Sequence, residues 1–175
     1  MNKKHLYVGY GSNMNENLME RRRPGSVDKG AVLIKNFMLT LPHWADIENC
    51  FNEATPGRLW EVNDEQLADL DIQEGVDKNE YMRATVSVVD SKGNTHTAIA
   101  YVMTKEFKEI KVDELLVSEG YVGRIIEGYK QVGFSEADWQ PFPSREEGYS
   151  KKLLARFVTP TKKEISKQLK PSIFS

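Results

Sequence analysis

The 175-residue sequence is poorest in the side chains that cross-link or metallate a small domain. Cys50 is its single cysteine, so no intrachain disulfide can form and nothing in cysteine usage points to an oxidising compartment. A lone cysteine of this kind reads as a small buried hydrophobe. The three histidines, His5, His43 and His96, are scattered, so neither a zinc ligand set nor a Cys/His nucleophile pair emerges, and no metal or other cofactor is expected. Long apolar runs are missing as well. Lys3-Lys4 precedes a short apolar stretch that Gly9, Gly11 and Asn13 interrupt, which leaves no signal core or membrane span there. A cytoplasmic protein without membrane contact is the expectation. With 24 Lys and Arg against 26 Asp and Glu, the net charge is −2, which gives no general pull toward phosphate backbones. The run Arg21-Arg22-Arg23 is too small for a nucleic-acid footprint. It reads as the last turn of a helix, where the macrodipole favours cations, stopped by Pro24-Gly25.

What is present is ordinary for one globular domain: 39% hydrophobic and 29% charged residues. The domain is expected over residues 1–158, with a basic extension over 159–175, as a monomer or homodimer. His5 to Tyr10 is a short apolar run that enters a turn at Gly11-Ser12-Asn13, the pattern of a buried strand. A helix is predicted from Asn15 to Arg22. Strands follow over Gly30–Leu41, ended by Pro42, and over Gly57–Asn63, with the polar stretch His43–Asn52 as an excursion between them. Tyr81–Val89 alternates, with Met82, Ala84, Val86 and Val88 on one face and Tyr81, Arg83, Thr85 and Ser87 on the other. Turn residues at 90–94 and a returning strand over Thr97–Met103 complete a hairpin. Ile125, Ile126, Tyr129 and Val132 fall at helical spacing, as do Tyr149, Leu153 and Phe157, the latter after a capping-box pattern at Ser144. Strands first and helices appended predict an α+β domain around a curved or closed, mostly antiparallel sheet.

Two segments carry chemistry. Asn63 and Gln66 fit an N-cap with its box partner, and Gly75 fits a left-handed terminator, which frames a short helix. Leu67 and Leu70 form its inward stripe, and Glu74 lies four residues beyond Leu70 on the same face. A carboxylate there is either drawn toward the interior, with its pKa raised by burial and by the negative end of the helix, or turned out into solvent by fraying. A raised carboxylate suits proton transfer near neutral pH. The second segment, Tyr10-Gly11-Ser12-Asn13, joins a strand to a helix start. Such a junction can offer unpaired N–H groups to an anion, or be simply a turn.

Together, Tyr7-Val8-Gly9-Tyr10-Gly11-Ser12-Asn13-Met14 and Leu70-Asp71-Ile72-Gln73-Glu74-Gly75, followed by Tyr81-Met82-Arg83, resemble the γ-glutamyl cyclotransferase-like family. The likeness continues through Gly57–Val62, Ala100–Thr104, Tyr121 with Gly128, and Pro143 with Tyr149, or roughly residues 5–157. It implies a small mixed β-barrel with flanking helices and a pocket at one end. Carried over by position, Glu74 is the proton acceptor. Tyr7, Val8, Gly9, Tyr10, Gly11, Ser12 and Asn13 hold the substrate, with Tyr81 and Tyr121 beside them. The implied reaction closes 5-oxoproline from a γ-glutamyl amide without a cofactor. The excursion at His43–Asn52 and the segment Phe134–Pro143 depart from the family pattern and are expected to shape the pocket mouth. Two other readings remain open: a related enzyme acting on γ-glutamylamines or γ-glutamyl-protected metabolites, and a small-anion-binding module that performs no turnover.

Overall fold

The computed structural model describes residues 2–42, 44–110 and 118–134. Strand β1 (Lys4–Gly9) leads into a 3-10 turn at Ser12–Met14 and helix α1 (Glu16–Arg22), which Asn15 caps by accepting from the Leu18 amide at 3.1 Å. Strands β2 (Val27–Thr40) and β3 (Asp46–Asn63) form a long antiparallel pair. Helix α2 (Asp64–Gln73) opens with the predicted capping box: Asn63 Oδ1 accepts from the Gln66 amide, and Gln66 Oε1 from the Asn63 amide, each at 2.9 Å. A 3-10 turn at Val76–Lys78, strands β4 (Tyr81–Asp90) and β5 (Thr95–Met103), and helices α3 (Lys105–Lys108) and α4 (Glu119–Gln131) follow.

The five strands close into a barrel in the order β1-β3-β2-β4-β5. Every pairing is antiparallel except the closing one, where β1 meets β5 in parallel with Tyr7 opposite Ile99. Closure leaves no free sheet edge around the ring, which is how a small sheet avoids templating aggregation. Alternation along the strands feeds two apolar clusters. Val8, Ile34, Leu59, Val86, Val88 and Ala100 pack in one, together with Ile125 and Tyr129 of α4. Tyr7, Trp60, Val62, Tyr81, Tyr101 and Met103 pack in the other, against Leu67 and Leu70 of α2 and Met19 of α1.

Two expectations are corrected here. The polar stretch over 46–52 is no excursion, because Asp46–Asn49 pair with Phe37–Thr40 and the strand runs unbroken to Asn63. Its side chains from Glu48 to Asn52 are mostly solvent-exposed, so polarity costs this arm of the hairpin nothing while the backbone ladder still forms. In β4 the predicted apolar face is buried at Val86 and Val88, but Met82 at its start is 52% exposed and Tyr81 on the opposite face is buried. The second cluster covers that opposite face at this end, so the burial pattern switches sides. The helix expected around Tyr149, Leu153 and Phe157, most of the segment Phe134–Pro143, and the C-terminal extension lie outside the described residues.

Candidate active site

The turn after β1 and the end of α2 meet at one cavity of about 190 Å³. From the N-terminal side Tyr7, Tyr10, Gly11, Ser12 and Asn13 line it. Ser12 and Asn13 open a 3-10 turn that no side chain caps, so their amide groups have no partner within it. From the other side come Gln73 and Glu74, with Tyr81 of β4 and Tyr121 of α4 closing the wall. Glu74 is the C-cap of α2, its own amide donating to Leu70 O at 2.9 Å. Gly75 follows in the left-handed region, at φ +63° and ψ 39°, which ends the helix and leaves the Glu74 side chain on the face of Leu67 and Leu70. The carboxylate is therefore turned inward rather than frayed outward.

Glu74 is half-buried, and its surroundings compete over its charge. Burial pushes the carboxyl pKa up, and this effect outweighs the Gln73 hydrogen bond, the Arg23 and Arg22 charges and the Asn13 hydrogen bond, which all pull it down. Gln73 Nε2 donates to Glu74 Oε1 at 2.8 Å and Asn13 Nδ2 to the same oxygen at 3.4 Å. Asn13 Nδ2 also donates to the Tyr7 hydroxyl at 2.8 Å. The phenols of Tyr7, Tyr10, Tyr81 and Tyr121 are each pushed above the ordinary tyrosine value by burial, with the Glu74 charge acting in the same direction, so they stay neutral. Their hydroxyls also brace the cavity wall. Tyr81 donates to Ala45 O at 2.8 Å, Tyr121 accepts from the Ala45 amide at 3.0 Å, and Tyr10 donates to Tyr101 O.

Two residues assigned to substrate binding do not line the cavity. The Val8 side chain is fully buried in the barrel cluster, on the strand face opposite Tyr7. Gly9 has no side chain to offer, and a Cβ on it would fall 2.9 Å from Asn13 O. Its contribution is to let the turn fold back closely on β1. Six lining residues escaped the sequence reading: Arg22, Trp44, Ala45, Gln73, Glu80 and Tyr101. Arg22 and Arg23 behave as more than a charged helix end, since Arg22 Nη1 donates to Asn13 Oδ1 at 3.0 Å and Arg23 Nη1 to Gln73 Oε1 at 2.8 Å. Only the adjacency of Gln73 to Glu74 could have drawn notice in the sequence. Trp44 stacks edge-on against Tyr121, with ring centres 5.0 Å apart, and forms part of the mouth. Among the described residues no group of His, Cys, Asp and Glu could hold a metal ion, and no helix is long and apolar enough to cross a membrane.

Residues 56–140 match the model of the AIG2-like family. γ-Glutamylcyclotransferase of Bos taurus is 30% identical over 111 residues, which span 57% of this chain and 59% of the bovine protein. Over these stretches the chain resembles the AIG2-like, γ-glutamyl cyclotransferase-like family. Solved structures show the same fold. A γ-glutamyl cyclotransferase superposes with a TM-score of 0.63 at 20% identity, over 97% of this chain and 100% of its own. The uncharacterised human protein loc79017 gives 0.64 at 21% identity, over 95% and 98%. At such identities these structures speak to the fold alone. The family match contains Glu74 and Tyr81 but begins after the Tyr10–Asn13 loop, so the loop's place in the site rests on the cavity geometry.

Proposed function

We propose that the protein is a γ-glutamyl cyclotransferase-type enzyme that releases 5-oxoproline from a γ-glutamyl amide, with Glu74 as general base and then general acid. One observation carries this reading: a partly desolvated carboxylate and residues Gly11, Ser12 and Asn13, at the start of a turn that no side chain caps, line the same cavity. An α-ammonium with a pKa of about 8 must lose a proton before it can attack. A carboxylate with a raised pKa accepts that proton more readily than an exposed glutamate does. The freed amine then attacks the side-chain carbonyl carbon, forming the ring C–N bond. Collapse of the tetrahedral intermediate breaks the bond to the leaving nitrogen, which takes the proton back from Glu74, and the ring nitrogen gives up its second proton to the released amine. The amides of Ser12 and Asn13 suit either the substrate carboxylate or the developing oxyanion, where one donor is typically worth about 3 kcal/mol. The γ-glutamylcyclotransferase name of the bovine relative supports the same reaction class.

The test is mass spectrometry of purified protein incubated with a mixture of γ-glutamyl dipeptides and γ-glutamyl amines. Release of 5-oxoproline is expected from wild type, with a loss of about 10³-fold or more in Glu74→Gln and unchanged binding of the product. Wild-type-like release by Glu74→Gln removes the acid-base role. Ligand capture by wild type with no product from any substrate in the mixture assigns the cavity to binding alone.

A further inference from the structure

Two arginines at the end of α1 hold the two amide side chains that surround Glu74. Arg23 is 3% exposed, and its guanidinium donates to Gln73 Oε1 at 2.8 Å and to Asp69 O at 3.1 Å. Arg22 donates to Asn13 Oδ1 at 3.0 Å. A guanidinium has donors and no acceptor, so the amide edge turned toward it must be the carbonyl oxygen. The opposite edge, the NH₂, then faces the cavity. Gln73 and Asn13 both meet this condition, and both NH₂ groups converge on Oε1 of Glu74, at 2.8 and 3.4 Å. Gln73 Nε2 also reaches Asn13 Oδ1 at 3.4 Å, which ties the two arms together. Among the described residues no donor reaches Glu74 Oε2.

We propose that Arg23 and Arg22 are positioning residues that act on Glu74 through Gln73 and Asn13, two relays ending on Oε1 that leave Oε2 as the oxygen that exchanges protons with substrate. The proton role of Oε2 rests on the cyclotransferase reading, whereas the relays concern the hydrogen bonds alone. Flipped, either amide would turn its carbonyl on a carboxylate, so each arginine excludes the repulsive rotamer as well as adding charge. The other titratable groups around the cavity are Tyr7 of β1, Tyr10, Glu80, Tyr81 of β4, Tyr101 of β5 and Tyr121 of α4. None of these donates a hydrogen bond to Glu74, which leaves the two amides as its ordering contacts.

The experiment is a double-mutant cycle read by ¹³C NMR titration of the Glu74 carboxyl, which needs no turnover. Gln73→Met is expected to raise the Glu74 midpoint by about one pH unit, the effect of losing one strong donor to a carboxylate. Arg23→Met raises it too. In the double variant the Arg23 effect shrinks by half or more, because its intermediary is gone. Shifts that simply sum overturn the relay and leave Arg23 acting only through its field. Because Arg23 is buried and its loss could unfold the chain, Gln73→Glu at the exposed position 73 provides a second test. That variant gives Arg23 a carboxylate partner, removes the donor and adds a like charge, so the midpoint rises further than in Gln73→Met. An unmoved midpoint in both position-73 variants refutes the proposal. If the midpoints move as expected while wild type yields no 5-oxoproline, the relays stand and the cyclotransferase reading falls.

Discussion

Gly75 ends α2 immediately beyond Glu74, and Gly75→Ala tests how rigidly that end is built. Its backbone lies in the left-handed region at φ +63°, where an L-residue with a Cβ costs roughly 1–2 kcal/mol. The new methyl would also fall 2.5 Å from Glu80 Oε2, 2.8 Å from its Cδ and 3.1 Å from its Cβ. The tip of Glu80 can swing away, but its Cβ cannot easily follow, because the Glu80 and Lys78 amides both donate to Gly75 O at 3.0 Å. Strain and crowding together give a loss of about 2 kcal/mol, after allowing for the lower entropy of the unfolded alanine chain. In a chain of this size that lowers Tm by about 4–8 °C, measurable by differential scanning calorimetry. Gly75→Asn separates the two causes, since asparagine tolerates the left-handed region but keeps the crowding. It is expected to fall between wild type and Gly75→Ala. A Gly75→Ala melting point within about 1 °C of wild type would refute both the strain and the contact argument.

Two further outcomes follow from buried acids. Burial raises the folded-state pKa of Glu74, so the folded protein binds the extra proton more tightly than the unfolded chain, and stability falls as pH rises from the ordinary glutamate value through the raised one. Glu74→Gln removes that cost, so its Tm is expected to exceed wild type at pH 8, with the gap closing toward pH 4; a gap constant with pH rejects the linkage. Asp46 is fully buried, accepts from the Met103 amide at 2.8 Å and pairs with Lys108 at 2.6 Å. Asp46→Ala leaves the buried Met103 amide without its acceptor, while Lys108 keeps Glu48 at 3.1 Å, with an expected loss of about 2 kcal/mol in denaturant unfolding, and a loss under about 1 kcal/mol would show that water replaces the carboxylate.

The parts of this fold legible in the sequence are those where one side chain answers one local backbone need. Asn63 and Gln66 satisfy the orphan amides of α2, Gly75 supplies a positive φ, and residues 90–94 turn the hairpin between β4 and β5. Each signal works over four or five residues and does not depend on what packs against it. Where the reading failed, a distant element had changed the meaning of a residue. Residues 46–49 look like loop because they are polar, yet β2 presents them with a complementary ladder. Tyr81 lies on the predicted outer face of β4, yet α2 and its apolar stripe cover that face. Arg22 and Arg23 fit a helix end by charge, and no periodicity within α1 reveals that Gln73, fifty residues later, offers Arg23 a carbonyl.

The same distinction explains why the inward direction of Glu74 could be proposed from spacing while its surroundings could not. Leu67 and Leu70 fix the face, and the helix repeat carries that direction to position 74. Burial alone, however, would favour a neutral acid, and a permanently protonated side chain cannot accept a proton from a substrate amine. What restores the balance comes from α1 and the first turn: two amide donors on one oxygen and two guanidinium charges behind them. The neutral phenols of Tyr7, Tyr10, Tyr81 and Tyr121 around the carboxylate hold their protons, so they shape the cavity without adding charge to it. Desolvation sets the direction of the shift and the arginine-held amides limit its size. The proton affinity of Glu74 is thus a property of the contact between α1 and α2, two helices that the chain keeps apart by the whole length of β2 and β3.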